Sequence, residues 1–122
     1  MSLHNKNIGS EGENIVVSYL IANGYTILET NFSPQKNQGE IDIIAKKEKV
    51  IAFIEVKRRI HSYDINPTYL VPFSKQKKII KMALLYCSIH NIHTNSEYTL
   101  RFDIAFCDDR NVCYYDNAFT DT

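Results

Sequence analysis

The sequence predicts an α/β fold in which a mixed β-sheet is flanked by α-helices. Three observations predict it. Val50 to Lys57 is apolar on both faces until Glu55, as a central strand covered on each side must be. Glu97 to Cys107 alternates, with Tyr98, Leu100, Phe102, Ile104 and Phe106 on one face. Two segments with helical spacing stand before and between the strands, so the elements run α-β-β-β-α-β-β.

The first helix covers Gly9 to Asn23, with Ile15, Val16, Tyr19 and Leu20 at helical spacing and Gly24 as the stop. Tyr25 to Phe32 is a strand, followed by a polar loop from Ser33 to Gln38 that contains Pro34. Glu40 to Ala45 is a short strand, and Lys46 to Lys49 a charged turn into Val50 to Lys57. Arg58 to Phe73 lacks periodicity and contains Pro67 and Pro72, and a connection this long is often functional. Ser74 is the expected cap of a helix running to about Asn91. Its buried stripe is Ile79, Met82, Ala83, Tyr86 and Ile89, with Lys75, Lys78 and Lys81 off the stripe. Val112 to Tyr115 is a last short strand.

At 122 residues and 14.1 kDa the chain is expected to form one domain over residues 1–122. Its formal net charge is zero, which argues against binding nucleic acid by global charge alone. The charge is unevenly spread: −2 over residues 1–56, +6 over 57–81 and −4 over 82–122. The basic middle can supply phosphate contacts, or be a solvated face. No apolar run approaches the ~18 residues of a membrane helix, and Met1 to Val17 has no apolar core of a signal peptide. The three cysteines, Cys87, Cys107 and Cys113, form no CxxC pair, so neither a disulfide framework nor a zinc ribbon is expected. A reducing cytoplasm is the expected compartment. The absence of GxSxG, GxGxxG and P-loop motifs argues against serine hydrolase, dinucleotide and NTPase chemistry.

The residues that carry chemistry are Gly39-Glu40-Ile41-Asp42 and, after the turn, Glu55-Val56-Lys57. Residues two apart on a strand face the same way, so Glu40 goes with Asp42 and Glu55 with Lys57. A turn centred near Lys47 and Glu48 sets Asp42 opposite Phe53 and Glu40 opposite Glu55. Asp42 and Glu55 are then diagonal neighbours, about 7–8 Å apart between Cα atoms. Like charges this close raise each other's pKa, and a hard divalent cation such as Mg²⁺ or Mn²⁺ relieves that cost. A cation so held supports phosphodiester hydrolysis, and Lys57 can position water or neutralise phosphate charge. The alternative is an exposed acid-lysine network at a sheet end.

Asp42, a 12-residue gap and Glu55-Val56-Lys57 resemble the PD-(D/E)xK motif of the restriction-endonuclease-like nucleases, among them archaeal Holliday-junction resolvases. The wider set is more specific. Gly9-x-x-Gly12-Glu13, Gly24-Tyr25, Asn31, Gly39-Glu40-Ile41-Asp42, Phe53-Ile54-Glu55-Val56-Lys57-x-Arg59, Ser74-Lys75 and Arg101-Phe102-Asp103 resemble the YraN family. The likeness runs from about Gly9 to Phe119. It implies a restriction-endonuclease-like fold. It also implies metal ligands at Glu13, Asp42, Glu55 and the Val56 carbonyl, with Lys57 assisting hydrolysis and Lys75 completing the site. The motif proline is replaced by Glu40-Ile41, and His61 to Pro67 stand where a glycine usually follows the EVK strand.

The leading expectation is a Mg²⁺- or Mn²⁺-dependent nuclease acting on DNA, branched or damaged DNA included. Arg58, Arg59, Lys77, Lys78 and Lys81 join Lys75 as candidate backbone contacts. The alternative is a non-catalytic nucleic-acid-binding or partner-docking module on the same fold. Nothing in the sequence separates DNA from RNA, and cutting both strands would favour a two-fold homodimer. Tyr63, Tyr69 and Phe73 can stack bases or anchor a loop. His61 is read as exposed, His90 and His93 as a polar helix end, and Arg101 with Asp103 as a structural ion pair.

Overall fold

The structure is a computed structural model that describes residues 3–35, 37–58, 71–93, 97–109 and 111–120, with backbone alone over 3–10. The elements are α1 (Leu3–Ala22), β1 (Thr26–Phe32), β2 (Ile41–Lys47), β3 (Val50–Arg58), α2 (Phe73–Ile89), β4 (Thr99–Cys107) and β5 (Val112–Phe119). Their order is the expected one. The five strands form one sheet in the order β1-β2-β3-β4-β5, so β3 is central. Only β3 and β4 run parallel, with α2 in the crossover between them; the other pairs are antiparallel. No helix among the described residues is long and apolar enough to cross a membrane.

Alternation along β3 divides the core in two. Ile51 and Phe53 pack with Ile79, Met82, Ala83 and Tyr86 of α2 on one face. Ala52 and Ile54 pack with Val16 and Leu20 of α1 on the other. A strand buried on both faces has no polar side while it is flanked by strands on both edges, and Glu55, the first charge on β3, comes just after its regular pairing with β2 stops.

Several boundaries differ from the sequence expectation. The β2–β3 register pairs Lys47 with Val50 and Ile43 with Ile54, two residues away from the expected pairing. Glu48 takes a left-handed φ of 54°, which closes a two-residue turn at Glu48-Lys49 and returns Lys46 and Lys47 to the strand. Ser74 does not cap α2. Pro72 occupies that position, and its carbonyl accepts the N–H groups of Lys75 and Gln76. Ile89 is exposed, and Gln76 and Cys87 are buried in the α2 face instead. β5 runs on to Phe119, and α1 begins at Leu3 rather than Gly9.

Gly24 ends α1 as expected. Its φ of +91° lets its own N–H reach the Ile21 carbonyl and the Tyr25 N–H reach Leu20. Gly24→Ala places a Cβ in that left-handed conformation, and a loss of about 1 kcal/mol is expected in urea unfolding. An unchanged midpoint would remove this account of the stop.

Candidate functional site

The site lies where β3 parts from β2 while still paired with β4, at the start of β2 and under the first turn of α2. Glu55 is the last residue of β3 that is buried, 5% exposed, on the α2 side of the sheet. Burying a carboxylate is costly unless it is paired. Lys75, in the first turn of α2, donates from Nζ to Glu55 Oε2 at 2.5 Å, and Lys57 Nζ stands 3.5 Å from the same oxygen. Parity on β3 puts Lys57 beside Glu55, and helix placement adds Lys75.

Asp42 arrives differently. The regular β2–β3 pairing stops at Ile43 and Ile54. Two steps further in that register, Val56 would face Ile41. Instead the Val56 N–H donates to Asp42 Oδ2 at 2.8 Å. The carboxylate thus replaces a ladder carbonyl and is drawn against the end of β3. Ile41 packs on the α2 side and Ile43 on the α1 side, so strict alternation breaks at Asp42. The expected diagonal geometry was therefore incorrect, although Asp42 and Glu55 do come close enough to interact by charge.

Two more carboxylates join Asp42. A Cβ on Gly12 would lie 3.1 Å from Cys107 Sγ, so the absence of a side chain lets α1 approach β4 and sets the next residue, Glu13, at the sheet end. Glu40 precedes β2 by one residue. Oxygen atoms of Glu13, Glu40 and Asp42 lie within 4.8 Å of one another. Asn31 holds two of them: its Nδ2 donates to Glu13 Oε2 at 2.9 Å and to Glu40 Oε2 at 2.8 Å. Asn31 has a φ of 54°, a conformation asparagine tolerates better than most residues, and this aims its amide across the sheet edge.

The electrostatics follow. Burial, then the charge of Glu55, and then those of Glu13 and Glu40 push the Asp42 carboxyl up to about 7, against the Val56 hydrogen bond that lowers it. Burial first, and the neighbouring Glu40 charge, also raise Glu13, while the Asn31 amide lowers it. Among the described residues, four carboxylates face two ammonium groups, Lys57 and Lys75. The donors are all oxygen, which suits a hard cation such as Mg²⁺ or Mn²⁺ rather than zinc.

The structure brings together Glu13, Asp42, Glu55, Lys57 and Lys75, with Val56 engaged through its amide. Sequence reading assigned no ligand role to Glu40 and no role to Asn31. The signal for Glu40 was its parity with Asp42. Asn31 meets it only because β1 pairs with the start of β2 through Phe32 and Ile41. The basic candidates are dispersed. Arg58 is exposed and pairs with Asp109 at 3.2 Å. Lys77 lies over the Phe73 ring, 4.8 Å from its centroid. Lys78 and Lys81 are exposed on α2. Arg59, His61, Tyr63 and Tyr69 lie outside the described residues. His90 caps the end of α2 and, like His93, is exposed.

Arg101 and Asp103 form the structural pair expected of them. Asp103 is fully buried and accepts from Arg101 Nη2 at 2.8 Å, the Tyr114 hydroxyl and the Asn117 N–H.

The model of a family described as "Uncharacterised protein family UPF0102" matches residues 12–107. The chain belongs to the UPF0102 family. That is the YraN-like family whose motifs the sequence carries. A UPF0102 protein of Thermodesulfovibrio yellowstonii is 42% identical over 112 residues, covering 92% of this chain and 95% of its own. One from Clostridium perfringens is 45% identical over 104 residues, 85% of this chain and 81% of its own. One from Clostridium botulinum is 47% identical over 100 residues, 82% and 78% of the two chains. The UPF0102 match contains Glu13, Asn31, Glu40, Asp42, Glu55, Lys57 and Lys75, and it ends before β5.

Proposed function

We propose that the protein is a metal-dependent nuclease of the restriction-endonuclease-like, PD-(D/E)xK class, hydrolysing DNA phosphodiesters. The observation that carries this reading is the convergence of Asp42 and Glu55 at the ends of adjacent strands, with Lys57 and Lys75 on the Glu55 carboxylate. The donor set fits Mg²⁺ or Mn²⁺. Glu13, Glu40 and Asp42 would hold it, with Glu55 and the Val56 carbonyl as the further ligands the sequence resemblance implies. When bound, such a cation supplies Lewis-acid stabilisation of the charge that builds on the phosphodiester.

The chain's own groups do the rest. Asn31 keeps Glu13 and Glu40 turned toward Asp42 by hydrogen-bonding both. Lys75 neutralises Glu55 and keeps it in place through its first-turn position on α2. Lys57 is about one third exposed, so Nζ can donate to an attacking water or to a phosphate oxygen while remaining near Glu55.

A calorimetric Mn²⁺ titration tests the reading without a guess about substrate. Wild type is expected to bind, and Glu55→Gln and Asp42→Asn to lose binding. Asn31→Gly keeps the left-handed backbone and removes only the amide. A loss of about tenfold or more in affinity is expected from it, as when an outer partner of a ligand is deleted. Cleavage of flap, junction and single-stranded DNAs by wild type, and not by Glu55→Gln, completes the test. A wild type that takes up no Mn²⁺ at millimolar concentration, with or without DNA, leaves the binding-module reading in place of this one.

A further inference from the structure

A groove leads away from the carboxylates along α2. Its first part, a cavity of about 210 Å³, lies between Gly39-Glu40 and Ser74, Lys75, Lys78 and Met82. Its second, about 140 Å³, lies between Gln35 and Gln38 on one wall and Lys78, Lys81 and Leu85 on the other. The two share Lys78 and Met82, so they form one continuous track. It begins at Glu40, one of the three converging carboxylates.

The walls differ in chemistry. Lys75, Lys78 and Lys81 recur every third residue on one side of α2, and this spacing puts successive side chains about 5–6 Å apart. Lys75 is committed to Glu55. Among the described residues neither Lys78 nor Lys81 has a carboxylate partner. Along the second part, the facing wall among the described residues offers two amide side chains, each both donor and acceptor. From Lys75 to Leu85 the helix spans about 15 Å, long enough for Lys78 and Lys81 each to meet a different phosphate of one strand. Lys78 and Lys81 stand in a single row on the helix wall, so the track offers its phosphate contacts to one strand.

We propose that this track carries one single-stranded arm of nucleic acid. Its phosphates lie on Lys78 and Lys81, and its base edges face Gln35 and Gln38. The direction of the strand, into the carboxylate site, rests on the nuclease reading above. The substrate class is then a nucleic acid with a single-stranded end or flap.

The test is fluorescence anisotropy of a labelled single-stranded DNA of 12 nucleotides, in EDTA, across a salt series. The variants are Lys78→Ala/Lys81→Ala and a charge-matched control, Lys47→Ala/Lys49→Ala, at the other end of β2 and β3. The track variant is expected to bind about tenfold more weakly at 50 mM salt. Its plot of log affinity against log salt should be shallower by about 1.4, or 0.7 for each phosphate contact removed. The control should retain both affinity and slope, and unlabelled duplex should compete poorly. A track variant with the wild-type slope overturns the proposal. So does an equal loss in the control, or duplex competing as well as single strand. EDTA separates this outcome from the Mn²⁺ titration. Failure here with an intact Mn²⁺ response removes the track alone; strand binding through it without a Mn²⁺ response removes the nuclease reading alone.

Discussion

Asp42→Asn is expected to melt at a higher temperature than wild type in metal-free buffer at pH 8, while losing its response to Mn²⁺. The Asp42 carboxyl is raised to about 7 by burial and by the charges around it. Its ordinary value in an unfolded chain is about 3.9. The folded state therefore holds the proton more tightly than the unfolded state. Stability is fully present below about pH 4, falls as pH rises through the interval, and is flat above about 7. About three pH units at 1.36 kcal/mol each give an upper figure of about 4 kcal/mol lost by pH 8.

Asparagine stays neutral and its amide oxygen still accepts from the Val56 N–H, so the variant avoids the loss without vacating the position. A gain of about 2–4 kcal/mol corresponds to a rise in Tm on the order of 10 °C. At pH 4 the two proteins should melt together. Saturating Mn²⁺ should reverse the order at pH 8, because wild type gains RT ln(1 + [L]/Kd) and the variant does not. Equal melting of the apo proteins at pH 8 would mean that Asp42 carries no electrostatic penalty. A site for a cation would then lack its physical motive.

Asp103→Ala is expected to cost 3–5 kcal/mol on the order reported for breaking buried pairs. Its carboxylate is fully buried and satisfies three groups: the Arg101 guanidinium, the Tyr114 hydroxyl and the Asn117 N–H. Burial, followed by the Asp103 charge, pushes the Tyr114 phenol well above its ordinary range, so it remains a donor. Removing the acceptor strands a guanidinium whose side chain is only 19% exposed. A domain has about 5–15 kcal/mol to lose, so urea unfolding should shift its midpoint strongly. Mn²⁺ binding by the protein that remains folded should match wild type, since Asp103 lies on the α1 side of the sheet and outside the site. A loss below about 1 kcal/mol would show that the pair is replaceable by water.

These two aspartates show what kind of inference a linear pattern supports. Asp103 was legible as structural because its partner is two residues away on the same strand face, and parity is a local property. Glu55 with Lys57 was legible for the same reason. Lys75 was placed by resemblance to the YraN motifs, and its contact with Glu55 depends on how α2 docks. Glu40 and Asn31 went unassigned because their meeting requires β1 to pair with β2 across an intervening loop. Nothing within the Ser33–Gly39 stretch states which edge residue will face which.

The register of the central hairpin is the sharpest case. Four charged residues in a row read as one turn, but Glu48 accepts a left-handed φ and closes the chain in two residues. The backbone energy of one residue thus moved every cross-strand pair by two positions. Because the shift is even, parity survived, and Glu55 still faces α2. The sequence by itself determined the order of elements, the central position of β3, both faces of its core and the acidic and basic residue types at its end. Periodicity and burial are short-range and additive, so they survive without tertiary knowledge. Tertiary structure alone decided that Asp42 takes the Val56 amide and that Asn31 bridges Glu13 to Glu40. It also decided that Lys75 reaches Glu55 from another element. Each of these is a contact between segments far apart in the chain, chosen by packing geometry rather than by local preference.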